Sequence, residues 1–95
     1  MAFVLIEHRV GDFEAFRAAY LDDADRRRRF GSQGGRVFRA SDDPEVVIVL
    51  LQWDTEDRAR DFARSLEVHQ AAEWAAGGVS TTRVLVLGPA LDSPV

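Results

Sequence analysis

The sequence predicts an α+β chain with its elements in the order β-α-β-β-α-β. Two observations lead there. Runs rich in β-branched and large apolar residues, at 2–10 and 45–53, alternate with stretches whose apolar residues recur at helical spacing. Glycine or turn-forming clusters separate most of these stretches.

Ala2 to Val10 (AFVLIEHRV) is too short for a buried helix and reads as the first strand. Gly11 breaks it. Asp12 can cap a helix, and Phe13, Phe16, Tyr20 and Ala24 share one helical face. This spacing predicts one helix reaching about Phe30, where the glycines at 31, 34 and 35 end it. Arg36 to Ala40 is a short second strand, and Ser41-Asp42-Asp43-Pro44 is a turn. Glu45 to Trp53 (EVVIVLLQW) is the strongest strand of the chain. Asp54 is placed to cap the next helix, with Glu56 and Asp57 in the first turn where the helix dipole favours acids. Ala59, Phe62, Ala63 and Leu66 form its apolar face, and a second helical piece runs from Glu67 to Ala76. Thr81 to Leu87 is the last strand, and residues 90–95 are a loose tail.

This order, with a tight hairpin between the middle strands, is the ferredoxin-like plan. Right-handed crossovers fold it into a four-stranded antiparallel sheet with two helices on one face. The 95 residues are read as a single domain with a modest core. The chain has no cysteine, which excludes disulfides and thiolate metal sites and leaves oligomerisation as the device that supplements a small core. A net charge of −4 lacks the basic field of a nucleic-acid binder. No apolar run approaches the ~20 residues of a membrane helix, and the opening residues lack the pattern of a signal peptide. A cytoplasmic protein without nucleic-acid or membrane partners is expected.

The strand residues also bear on assembly. Phe3 and Leu5 oppose Val4 and Ile6, Val47, Val49 and Leu51 oppose Val46, Ile48 and Leu50, and Val84 and Val86 oppose Leu85 and Leu87. Both faces of the sheet are therefore apolar, yet two helices cover only one. A sheet with one wet face alternates apolar with polar residues. A second copy packed sheet against sheet around a two-fold axis, giving a homodimer, is the economical cover, and a partner of another kind is the alternative.

Three segments carry a resemblance: IEHRVGDFEAF, GGRVFRASDDPEVVIVLLQWDTEDRARDFARS, and the helix ending in AAGGV. Across roughly residues 2 to 88 the chain resembles the dimeric α+β barrel superfamily. That group includes antibiotic-biosynthesis monooxygenases, polyketide-cyclase-like proteins and haem-degrading enzymes, and the likeness is greatest to small actinobacterial cyclase- or monooxygenase-like members. It implies a dimeric α+β barrel with a pocket inside each subunit, between sheet and helices. His8 falls where the haem-degrading branch carries an asparagine, and Phe62 where it carries a tryptophan. The haem-ligating histidine of that branch falls at about Ala72, so the resemblance implies no haem. Arg36 falls near the pocket mouth.

His8 is the candidate catalytic residue, because an imidazole can move a proton near neutral pH. A structural histidine bonded to a backbone carbonyl is the competing reading. Tyr20, Trp53, Phe62 and Trp74 are candidate substrate-binding walls, with the polar tips of Tyr20 and the tryptophans favouring a cavity. Phe13 and Phe16 read as core. Arg36 can steady a developing anion or form a surface ion pair. Arg26 to Arg29 follow Asp22, Asp23 and Asp25 at four-residue spacing and read as a solvated helix end. His69 reads as solvent-facing, and two histidines without cysteine are thin for a metal site. The glycines at 31, 34 and 35 follow a helix instead of preceding one, the wrong order for a phosphate loop.

Two functions are expected from this. One is a cofactor-independent enzyme of secondary metabolism, monooxygenase- or cyclase-like, acting on a planar aromatic or polyketide-like molecule with His8 as base. The other is a non-catalytic ligand-binding or accessory dimer.

Overall fold

The computed structural model describes residues 2–66 and 77–95. Its elements are β1 (Ala2–Val10), α1 (Phe13–Asp22), α2 (Ala24–Phe30), β2 (Ser32–Arg39), β3 (Val46–Trp53), α3 (Glu56–Ser65) and β4 (Val79–Leu87). The expected second helical piece at 67–76, with His69 and Trp74, lies outside the described residues. The four strands form a sheet in the order β2-β3-β1-β4, and each neighbouring pair is antiparallel. This is the expected ferredoxin-like α+β arrangement.

Alternation along the strands sorts the sheet into two faces. Val4, Ile6 and His8 of β1 lie beside Val47, Val49 and Leu51 of β3 and are buried. Phe16 of α1 and Ala59 and Phe62 of α3, with Leu66 just beyond, close over them to form the core. The other face carries Phe3, Leu5, Ile48, Leu50, Leu85 and Leu87, all half-buried, and Phe38, which is 46% exposed. Both faces are apolar, and the helices pack on the first.

Four local details differ from expectation, each with a physical reason. The first helix divides at Asp23, whose φ of −89° and ψ of 8° leave the α region. The segment Leu21-Asp22-Asp23-Ala24-Asp25 puts three carboxylates near the negative end of α1, where the dipole opposes them, and aspartate competes for backbone hydrogen bonds. Strand β2 begins at Ser32, four residues early, because a register shift between Ser32 and Gly35 carries the ladder through the glycines. A Cβ on Gly35 would collide with the Leu50 carbonyl oxygen, so only glycine permits this approach. Thr55, not Asp54, caps α3, its side chain accepting from the Arg58 N–H at 3.2 Å. Asp54 instead accepts from the Thr55 N–H at 2.8 Å and pairs with the Arg58 guanidinium at 3.2 Å. Strand β4 starts at Val79, two residues early, because its ladder with β1 continues to Val10.

Gly31 has φ 111° and ends α2 in the left-handed cap that the sequence predicts. Residues 88–95 follow β4 without regular structure, and Leu91 is fully exposed. Among the described residues, no helix is long and apolar enough to cross a membrane.

Candidate functional site

His8 sits near the C-terminal end of β1 on the helix-covered face, 1% exposed. Its placement depends on an irregularity. The β1–β4 register shifts between Glu7 and His8, so Glu7 pairs with Arg83 and His8 with Thr81. Thr82 is the extra residue, and its hydroxyl donates outward to Glu7, to the backbone carbonyl at 3.1 Å and the carboxylate at 2.6 Å. The shift brings the Thr81 hydroxyl to 3.1 Å from His8 Nδ1. Bulges of this kind re-aim side chains and are common beside functional sites. Which group donates depends on the imidazole tautomer. Phe16 meets the imidazole edge-on at 5.4 Å. Burial lowers the His8 pKa from 6.5 to about 4, so the ring is neutral at physiological pH.

A small chamber opens beside His8. Ile6, Val49 and Leu51 form its floor on the sheet, and Phe62 of α3 one wall. The other wall comes from the α1–α2 break, with Tyr20, Asp23 and Arg27. The cavity is about 10 Å³, room for one water. Tyr20 is half-buried, and burial raises its hydroxyl pKa while the neighbouring Arg27 opposes the rise.

The structure therefore brings together three of the expected site residues, His8, Tyr20 and Phe62. Trp53 adjoins them without lining the chamber. It is fully buried in the core, 4.6 Å from the Phe62 ring, and its indole Nε1 has no hydrogen-bond partner among the described residues. Arg36 lies elsewhere. It pairs with Leu50 on the opposite face of the sheet and is exposed. There it borders a shallow, open depression with Phe3, Gln33 and Gln52. Trp74 lies outside the described residues.

Sequence reasoning missed Arg27 and Thr81. The run Arg26 to Arg29 reads as solvated, yet Arg27 is only 8% exposed. The signal was present, since Arg27 continues the stripe of Phe13, Phe16, Tyr20 and Ala24 at helical spacing. The ion pairs around it are also spaced by three residues, Asp23 with Arg26 at 3.4 Å and Asp25 with Arg28, in place of the expected four. Thr81 carried no signal, because the register shift that selects it is a tertiary property. Among the described residues, no group of three metal-ligating side chains converges.

No protein-family model and no curated protein matches the chain. Solved structures do. A proposed antibiotic biosynthesis monooxygenase from Deinococcus radiodurans superimposes with a TM-score of 0.66 at 12% identity, covering 100% of this chain and 98% of that one. The Mycobacterium tuberculosis protein Rv0793 superimposes with a TM-score of 0.53 at 16% identity over the whole of both chains. At these identities the likeness concerns the fold, and a fold hosts many chemistries. The chain shares the ferredoxin-like α+β fold of these two structures along its whole length.

Proposed function

We propose that the protein is a cofactor-independent enzyme acting on a planar aromatic or polyketide-like molecule, with His8 as the base. The observation that carries this reading is a buried, neutral imidazole, contacted by Thr81, on the wall of an apolar chamber. In the tautomer whose Nδ1–H donates to the Thr81 hydroxyl, Nε2 holds the lone pair. Nε2 would take a proton from a phenol or from the carbon between two carbonyls, leaving the electron pair on the substrate. The imidazolium and the new anion then form an ion pair in a low-dielectric site, which offsets the low intrinsic basicity of His8. The carbanion can attack a second carbonyl of the same molecule, closing a ring. Alternatively it can react with dioxygen, keeping one oxygen atom as a carbonyl and releasing the other as water, with the substrate supplying the electrons. Phe62 and Tyr20 would hold the ring and exclude water.

The active form in this reading is a homodimer. Phe3, Leu5, Ile48, Leu50, Phe38, Leu85 and Leu87 share the face that the helices leave uncovered, with Glu7, Arg36 and Arg83 among them, and a second copy packed about a two-fold axis would cover it. The single-water volume of the chamber favours a second reading, a dimeric accessory or ligand-carrying protein in which His8 is structural.

A thermal-shift screen with anthrones, quinols and β-diketones separates the two. A native-state ligand raises the melting temperature with the logarithm of its concentration over Kd. A shift with one of these classes, followed by turnover that His8→Ala abolishes, supports the enzyme. Turnover unchanged in His8→Ala removes His8 as the base.

A further inference from the structure

Arg27 is the described side chain that the reading above leaves without a task. Its guanidinium lies face-on to Tyr20, 3.7 Å from the ring centroid. Only 8% of the residue is exposed, and its side chain makes no hydrogen bond or ion pair among the described residues. The guanidinium has no charged acceptor beside it, although arginines this close to the core frequently meet a carboxylate through two parallel N–H donors. The adjacent carboxylate, Asp23, also lines the chamber, but it pairs with Arg26 at 3.4 Å. Among the described residues, no carboxylate pairs with the Arg27 guanidinium.

We propose that Arg27 is the anion-recognition group of the chamber, and that the ligand is a planar aromatic acid, or a phenol or diketone bound as its anion. The inference rests on the chamber being the ligand site. It adds that the ligand has polarity along its length. One end presents an anionic oxygen to Arg27 on the α2 wall, and the other lies over the sheet at His8. Because the chamber as it stands has room for one water, Tyr20 and Arg27 must part to admit the ligand, and the guanidinium then turns from the Tyr20 face to that oxygen, exchanging a cation–π contact for charge-assisted hydrogen bonds, which are the stronger interaction. The same charge would steady an enolate or phenolate formed when His8 accepts a proton. Tyr20 then serves as the surface on which the guanidinium is held level.

The test uses the whole chain and two probes of the same shape, 2-naphthoate and the neutral 2-naphthamide, titrated calorimetrically. The wild type is expected to bind the naphthoate about 10- to 100-fold more tightly than the amide, as a charged hydrogen-bond partner predicts. Arg27→Gln should abolish that preference while leaving amide affinity within about 3-fold, which also reports that the variant is folded. Arg27→Lys should retain part of the preference, since the charge remains and the planar fork is lost. A preference that survives Arg27→Gln, or a wild type that does not distinguish the probes, overturns the role of Arg27 and leaves the chamber reading standing. Phe62→Trp fills the chamber, and unchanged binding of both probes in that variant overturns the chamber reading as well. So does a wild type that binds neither.

Discussion

The hydroxyl of Thr81 lies 3.1 Å from His8 Nδ1, across the point where the register of β1 with β4 shifts. Without the shift, the extra residue Thr82 would displace Thr81 from opposite His8. One irregularity in an edge strand therefore decides how the imidazole is held. In Thr81→Val the imidazole loses a partner inside the protein, which costs about 1–3 kcal/mol, read from the denaturant midpoint. Nitrogen-15 NMR of the His8 ring should show Nδ1–H as the dominant tautomer in the wild type and a mixture in the variant. Finding Nε2–H dominant in the wild type would remove His8 from the role of base.

Burial of His8 sets a pH dependence. Its pKa falls from 6.5 to about 4 on folding, so between these values the unfolded chain binds more protons than the native one. Stability is therefore complete above about pH 6.5, declines as the pH falls toward 4, and changes no further from this group below that. The difference is on the order of 3 kcal/mol. Urea unfolding at a series of pH values should show this slope, and His8→Phe should flatten it within the window. Equal slopes in the two proteins would place the acid sensitivity elsewhere.

Gly35 faces the Leu50 carbonyl oxygen so closely that any side chain must push β2 from β3. Gly35→Ala is expected to lower stability by about 2–4 kcal/mol, within the range of overpacked or strained sites. Gly88→Ala meets no neighbouring atom and serves as the control, with an effect within about 0.5 kcal/mol. A small loss in Gly35→Ala would mean that the edge strand β2 yields easily.

The second face of the sheet predicts the state of assembly. Sedimentation velocity should find the wild type as a dimer at micromolar concentration. Leu50→Glu, at the centre of the face beside Arg36, should yield monomers. A monomeric wild type would reject the sheet-to-sheet dimer and leave the apolar face to a different partner.

Phe62 joins the core to the chamber, 4.6 Å from the Trp53 ring and 5.8 Å from the Phe30 ring. Phe62→Ala should cost about 3–5 kcal/mol, as large aromatic truncations in cores do. Phe62→Leu should cost less, because most of the volume is kept. Calorimetric unfolding of the two variants measures the difference.

Much of this architecture was legible in the residues alone. Strand propensity and helical spacing place β1, β3, α1 and α3, because both signals arise from which side of an element meets water. The two apolar faces of the sheet, and with them the expectation of a partner copy, follow from alternation along β1, β3 and β4. His8 was legible as a candidate because its neighbours Val4 and Ile6 show which face it shares, and the resemblance marked the position. Tyr20 and Phe62 follow from their helical stripes.

Tertiary structure alone decided the rest. Arg36 and His8 both belong to strands, but the face that each occupies depends on register, and a shift in β2 puts Arg36 on the side away from the chamber. Arg27 stands in a run of four arginines, and although its place on the apolar stripe was legible, its stacking over Tyr20 at the edge of the chamber was not. Thr81 gained its place through a one-residue bulge. Composition and period report how each residue relates to water along its own element. Which polar groups meet in one chamber depends on register shifts and helix breaks, and those are settled by packing between elements distant in the chain.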